Sequence, residues 1–144
     1  MSKEDEEAFR RVTEELRKLE DAYNSFQGQM SLLDTVLSEL QMANATLEGL
    51  KKEKPEVSLL VPIGGGVYVK AKLADIEQVV MSIGVGISKE KSIDEAIGSI
   101  GARISELQAT KAKMEQQISL CVERINEKRG ELEAIYEKIR GGKT

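Results

Sequence analysis

The sequence predicts an α+β fold in which two long helices pair as an antiparallel coiled-coil hairpin, with two β-hairpins between them. Apolar residues recur with a 3.5-residue period near both ends of the chain, and they alternate with a period of two in the middle. Only 3 % of the 144 residues are aromatic, so large aromatic side chains do not anchor a compact core.

The first region, residues 1–53, is predicted to be a coiled-coil helix because an apolar seam runs along it for about five heptads. Asn44 is the polar exception, of the kind that fixes coiled-coil register at some cost in stability. Pro55 marks the end of the helix. The seam is Phe9, Val12, Leu16, Leu19, Tyr23, Phe26, Met30, Leu33, Leu37, Leu40, Asn44 and Leu47.

The middle region, residues 54–91, is predicted to form four short strands in two β-hairpins, with turns at Gly64–Gly66 and near Gly84–Gly86. Isolated hairpins leave faces and edges exposed, which favours oligomerisation and closure into an intersubunit β-barrel. The candidate oligomerisation residues are Leu59, Leu60, Val61, Ile63, Val67, Val69, Val79, Met81, Ile83, Val85 and Ile87.

The run Gly64–Gly66 is not a phosphate cradle, because it leads into a strand and not into the N-terminus of a helix. We also expect the C-terminal GGKT not to be a phosphate-binding loop, since Glu137 occupies the position of the first glycine in that motif. We therefore expect no nucleotide or other cofactor.

The last region, residues 92–140 with a tail at 141–144, is predicted to be a second coiled-coil helix. Its start is a capping box, Ser92-Ile93-Asp94-Glu95, and its end is Gly141-Gly142. Lys111 and Lys128 are its polar seam positions, and Cys121 is interpreted as a small core residue. The seam is Ile93, Ile97, Ile100, Ile104, Leu107, Lys111, Met114, Ile118, Cys121, Ile125, Lys128, Leu132, Ile135 and Ile139.

Folding back within one chain is the simplest way to bury both seams, although pairing between chains is an alternative. If Leu47 lies beside Ile93, Phe9 lies beside residue 131 or so, and the end of the second helix extends past most of its partner. Apolar groups left there indicate either a binding surface or a frayed end.

Composition excludes several functions. A net charge of −4 and a pI near 5.1 argue against nucleic acid as a partner. With no His and one Cys, the usual general base, a disulfide and a four-cysteine zinc site are absent from the sequence. No apolar run is long enough for a membrane span and we recognise no signal peptide, so we expect a cytoplasmic protein. The sequence contains no catalytic constellation, so we expect that it is not an enzyme and has no catalytic or metal-binding residues.

The segment LLVPIGGGVYVKAKLADIEQVVMSIGVGISKEKSIDEAI, flanked by the two helices, resembles the α-type subunits of the archaeal prefoldin family. Two hairpins rather than one distinguish the α type from the β type. The resemblance implies a heterohexamer of two α and four β subunits, with a double β-barrel body and six coiled-coil tentacles. It implies barrel strands at Leu59–Ile63, Val67–Leu73, Val79–Ile83 and Val85–Lys89.

The resemblance also implies an ATP-independent holdase that captures unfolded client proteins at its coiled-coil tips and delivers them to a group II chaperonin. The alternative is a structural coiled-coil spacer or filament protein assembled through its β-hairpins. The client-binding residues implied at the tips are Phe9, Val12, Leu16, Leu132, Ile135, Tyr136 and Ile139.

Overall fold

The computed structural model describes residues 2–74 and 77–141. The elements follow in the order α1 (Lys3–Lys51), β1 (Ser58–Gly64), β2 (Val67–Lys72), β3 (Gln78–Gly84), β4 (Ile87–Ser92) and α2 (Ile93–Gly141). The predicted α+β arrangement, with two antiparallel β-hairpins between two long helices, is confirmed. Gly142, which the sequence assigns to the end of the second helix, lies outside the described residues with the rest of the tail.

The chain forms two compact units. The terminal unit comprises Met1–Thr35 and Gln108–Thr144, and therefore contains the start of α1 and the end of α2. The hairpin unit comprises Val36–Leu107, with the end of α1, all four strands and the start of α2.

Ion pairs between the helices show that the terminal unit is an antiparallel pair. As the residue number on α1 falls, the number of its partner on α2 rises. The pairs are Asp34–Lys111 at 2.8 Å, Glu15–Lys128 at 2.7 Å and Asp5–Lys138 at 3.4 Å. Between them the seam is buried at Val12, Met30, Cys121 and Ile125. The helices of one chain thus pair with each other.

The same antiparallel pairing holds in the hairpin unit. Lys51 Nζ lies 2.6 Å from Asp94 Oδ1, and Asn44 Nδ2 donates a hydrogen bond of 3.4 Å to the carbonyl of Ile97. The seam residues Leu37 and Ile93 are buried in this unit, and so is Ala96, which lies off the predicted seam.

The two polar seam positions of α2 are occupied by lysines that reach carboxylates on α1. Lys111 and Lys128 are only partly exposed, and each ammonium lies beside a carboxylate of the opposite helix. A lysine can pack its aliphatic stem along a seam and still place its charge at the edge. These residues therefore hold the two helices at one axial alignment.

Side-chain caps fix the start of each helix. Ser92 Oγ accepts a hydrogen bond of 3.1 Å from the amide of Glu95, which is the serine half of the predicted capping box. Ser2 Oγ accepts one of 3.1 Å from the amide of Asp5. Three acidic residues in the first turn of α1 also complement the positive end of its dipole.

Glycines form the turns of the two antiparallel hairpins. Gly65 and Gly66 have φ angles of 59° and 78°, a region that glycine enters without steric cost. In the second hairpin Val85 and Gly86 form the turn, with φ of 73° at Gly86. The strand start implied at Val85 is therefore wrong, because β4 begins at Ile87. The implied end of this strand at Lys89 is also wrong, because β4 continues to Ser92. The bounds of β1, β2 and β3 differ from the implied ones by no more than one residue.

We predict that Asn44→Leu raises stability. The Oδ1 of Asn44 is buried without a hydrogen-bond partner among the described residues, and its Nδ2 makes only the long bond to Ile97. A leucine of similar shape removes the unsatisfied acceptor, and we expect a gain of about 1 kcal/mol in the free energy of unfolding, measured by urea denaturation followed by circular dichroism.

The control is Gln41→Leu, at an exposed position of the same helix, for which we expect a change within about 0.5 kcal/mol. A loss of stability in Asn44→Leu would contradict the prediction and show that the amide is fully satisfied.

Candidate functional site: two exposed apolar surfaces

The first hairpin presents apolar side chains on both faces. Cross-strand partners share a face, so Val61 and Val69 lie on one side while Pro62 and Tyr68 lie on the other. Leu60 and Tyr68 are 65 % and 59 % exposed. The exposed apolar residues of this hairpin are Leu60, Val61, Ile63, Val67, Tyr68 and Val69. Such a surface is typical of a protein–protein interface.

The second hairpin is more polar and is partly covered by helices of its own unit. Val79 and Met81 are half-buried, and with Val80 they form one wall of an apolar groove completed by α1 and α2 residues such as Met42 and Ile100. Strand β4 is charged, and Lys91 Nζ lies 3.4 Å from Ser99 Oγ on α2. Val80, Ile83 and Ile87 are exposed.

Both sheets have open edges. Each contains only two strands, so the outer backbone groups of β1, β2, β3 and β4 have no strand partner among the described residues. Unpaired edges of this kind favour pairing with another chain, and an isolated two-stranded sheet is only marginally stable in water. The hairpins are therefore suited to assembly.

The structure places the eleven candidate oligomerisation residues on the two hairpins, with one difference in position. Val85 is 104 % exposed at the turn between β3 and β4, because the chain reverses there. The candidate list omits Tyr68, which is exposed on the same face of the hairpin as Leu60. The signal was its position between Val67 and Val69, which places it on the opposite face of an alternating strand.

The second surface is the tip, which comprises residues 3–14 of α1 and 131–141 of α2, both in the terminal unit. The ion pairs Glu15–Lys128 and Asp5–Lys138 set its alignment and bring Phe9 level with residue 134 or so. The expectation that the end of α2 extends past most of its partner is wrong, because α1 begins at Lys3 and its carboxylates reach as far as Lys138.

Burial divides the seven candidate client-binding residues into three groups. Phe9 and Tyr136 are 39 % and 56 % exposed. Val12 is 1 % exposed because it faces the partner helix in the seam, and it thus stabilises the helix pair. The other four residues are half-buried: Leu16, which lies just beyond the tip, and Leu132, Ile135 and Ile139 within it.

Hydrogen bonds and ion pairs at this end of the terminal unit change the acidity of two carboxyl groups. The ammonium of Lys128 lowers the pKa of Glu15 below its ordinary value of 4.5, and Arg11 and Lys18 act in the same direction. The hydroxyl of Ser2, and then Lys138, lower the pKa of Asp5. Conversely, Glu15 raises the pKa of Lys128.

The described residues hold no cluster of three or more His, Cys, Asp or Glu that could bind a metal ion. Cys121 is buried, and its thiol donates to the carbonyl of Leu19 at 3.2 Å. Within the described part of the chain, neither helix has a stretch apolar enough to cross a lipid bilayer. What the geometry offers is two surfaces for protein contacts.

Two paired helices that carry exposed β-hairpins define the class of this protein: a coiled-coil subunit with apolar surfaces for other chains. A family model described as "Prefoldin subunit" matches residues 19–138. The chain belongs to the prefoldin family, which confirms the resemblance seen in the sequence. Prefoldins are chaperones and not a known class of enzyme.

Curated relatives and a solved structure agree with this assignment. The chain is 34 % identical over 134 residues to prefoldin subunit alpha of Pyrococcus horikoshii, covering 86 % of this chain and 89 % of the relative. It is 42 % identical over 103 residues to that of Thermococcus onnurineus, covering 65 % and 69 %. A filamentous prefoldin from Methanocaldococcus jannaschii, solved by cryo-EM, matches with a TM-score of 0.71 and 28 % identity, covering 83 % of this chain and 98 % of the other.

We predict that Glu15→Gln lowers stability at neutral pH and that this loss shrinks in acid. Because the pKa of Glu15 is lowered in the folded chain, its ion pair stabilises fully above the unfolded value of 4.5 and is lost as pH falls through the folded value. Urea denaturation of both chains at pH 7 and below pH 4 measures the difference.

Glu14→Gln is the control, since Glu14 is an exposed neighbour without an ion pair among the described residues. It should show no pH-dependent difference from wild type. If the free energies of unfolding of wild type and Glu15→Gln differed by the same amount at both pH values, the proposed role of this ion pair would be refuted.

Proposed function

We propose that this chain is a subunit of an ATP-independent holdase in the cytoplasm, which captures unfolded proteins at its tips and delivers them to a group II chaperonin. The observation that carries the proposal is the exposure of Phe9 and Tyr136 at the tip. Its partners are β-type prefoldin subunits, in a complex of two α and four β subunits joined through the hairpins. The family assignment and the open hairpin edges support this assembly.

Capture at one tip is weak. Burial of apolar surface contributes roughly 25 cal/mol per Å², and each tip exposes only two large apolar side chains to a substantial degree. Several arms on one complex act through effective concentration, which raises avidity by about 10²–10⁴-fold. Each contact then breaks easily by itself, so a client can be released without ATP.

We predict that the double variant Phe9→Ser with Tyr136→Ser lowers the protection of an unfolded client from aggregation by about twofold to fivefold, because two of the six arms of the proposed complex can no longer contribute to avidity. Phe9 is the outermost residue of the α1 seam and Tyr136 lies off the seam, and both are exposed, so the rest of the seam and the hairpins remain intact. Light scattering by a diluted, chemically unfolded client measures protection, and native mass spectrometry checks that assembly is unchanged.

The matched control is Leu32→Ser with Leu120→Ser, which removes two exposed apolar side chains of the terminal unit outside the tip. This variant should protect as well as wild type. Equal protection by the tip variant and wild type would exclude the tip as the capture site.

A second candidate function is a structural filament assembled through the hairpins. It is favoured by the likeness to the filamentous prefoldin of Methanocaldococcus jannaschii and by the open edges of both sheets. A head-to-tail contact that does not close produces filaments, whereas a closed one produces a particle of fixed size.

Native mass spectrometry of the chain purified with its natural partners distinguishes the two assemblies. We expect a single hexameric mass with two copies of this chain and four of a shorter, one-hairpin chain. A ladder of masses built from this chain alone would contradict the holdase assembly and support the filament.

A further inference from the structure

The tip carries an excess of acidic groups. It contains eight carboxylates and five basic side chains, a net charge of −3, and Lys143 beyond the described residues brings the sum to −2. The neighbouring stretch of the same unit, residues 15–23 with 119–130, has five of each and is neutral. The excess of negative charge therefore lies in the same part of the chain as the exposed aromatic residues Phe9 and Tyr136.

Carboxylates lie on both sides of each exposed aromatic residue. Phe9 lies in an open groove along α1 whose walls include Glu6 and Glu14. Glu133 precedes Tyr136 by about one helical turn, and Glu137 follows it directly. Among the described residues, none of these four carboxylates has an ion-pair partner, so all four are available to a ligand.

We propose that the tip selects non-native segments in which apolar or aromatic side chains are flanked by lysine or arginine. This inference rests on the proposed holdase function and specifies its substrate class. Phe9 and Tyr136 contact the apolar part of the segment, while the surrounding carboxylates pair with its flanking cations. Arg10 beside Phe9 and Arg140 beside Tyr136 reduce the negative potential but do not cancel it.

The selection at one tip is modest, because exposed ion pairs are weak and are screened by salt. It acts mainly on the association rate, since charge complementarity steers the encounter of two partners. When several arms hold one client, the preference is multiplied along with the avidity.

The test uses the full chain assembled with its partner subunits. The probe is one basic protein that is kept unfolded by reduction and carbamidomethylation of its cysteines. Its lysines are either left unmodified or acetylated. Acetylation leaves the apolar side chains unchanged and makes lysine less polar. A tip that recognises only apolar side chains would therefore bind the acetylated form at least as tightly as the unmodified one. The proposal predicts the opposite order.

At about 50 mM salt we expect the unmodified form to bind roughly threefold to tenfold more tightly, as measured by fluorescence anisotropy, with most of the difference in the association rate. At about 500 mM salt the difference should fall below about twofold, because screening then acts over a few ångströms.

Two variants with the same change in net charge locate the effect. The tip variant is Glu6→Gln, Glu14→Gln, Glu133→Gln and Glu137→Gln, and it should show a smaller preference than wild type. The control, Asp21→Asn, Glu115→Gln, Glu123→Gln and Glu127→Gln, changes exposed carboxylates of the same unit outside the tip and should keep it.

Equal or tighter binding of the acetylated form at low salt would overturn the proposal while leaving the holdase function in place. The proposal would also be overturned if the tip variant kept the preference at the wild-type level, or if the control variant lost as much of the preference as the tip variant. If the wild-type complex neither binds nor protects either form, the proposed function itself fails, and the client preference fails with it.

Discussion

The structure depends on the contact between two narrow apolar seams. Neither helix can bury its stripe alone, and few side chains become fully buried when the helices pair; Val12 is the clearest case. The apolar pattern alone tolerates a slip of seven residues, since such a slip again places apolar beside apolar. After that slip Lys128 would face Ala8 or Ala22 in place of Glu15, and Lys111 would face Gln27 or Gln41 in place of Asp34. The polar seam residues therefore select one register.

The apolar residues define the seams and the polar residues select the register, and this difference explains which features of the helix pair could be predicted from the sequence. The 3.5-residue period fixes which residues lie on the seam, and both helices follow from it together with the Ser92 cap. The axial alignment of the two helices cannot be predicted from this period, because the apolar pattern repeats every seven residues whereas the ion pairs form in only one register. Among the client-binding residues that the resemblance implies, Val12 lies on the seam and is buried, whereas Tyr136 lies off the seam and is exposed. A large apolar residue off the seam is the better sequence signal for a free surface.

The hairpins show a similar limit. Alternation identified the strands, and glycines identified the turns. Each hairpin, however, contains a register shift just before its turn, between Pro62 and Gly64 and between Ser82 and Gly84. The shift moves the following side chains out of the simple alternation. Nothing in a short glycine-rich sequence specifies that extra residue, because the turn geometry that requires it appears only when the two strands pair.

The two exposed surfaces are suited to opposite tasks because their backbones differ. A strand edge offers rows of unpaired N–H and C=O groups, so a partner strand gains directional hydrogen bonds together with apolar contact. A helix has already satisfied its backbone except near its ends, so the tip offers side chains alone. Contacts made only by side chains such as Phe9 and Tyr136 tolerate many partner sequences and break readily. In the function proposed for this chain, the hairpins therefore provide durable assembly, while the tip holds a changing set of unfolded partners and releases them without a nucleotide.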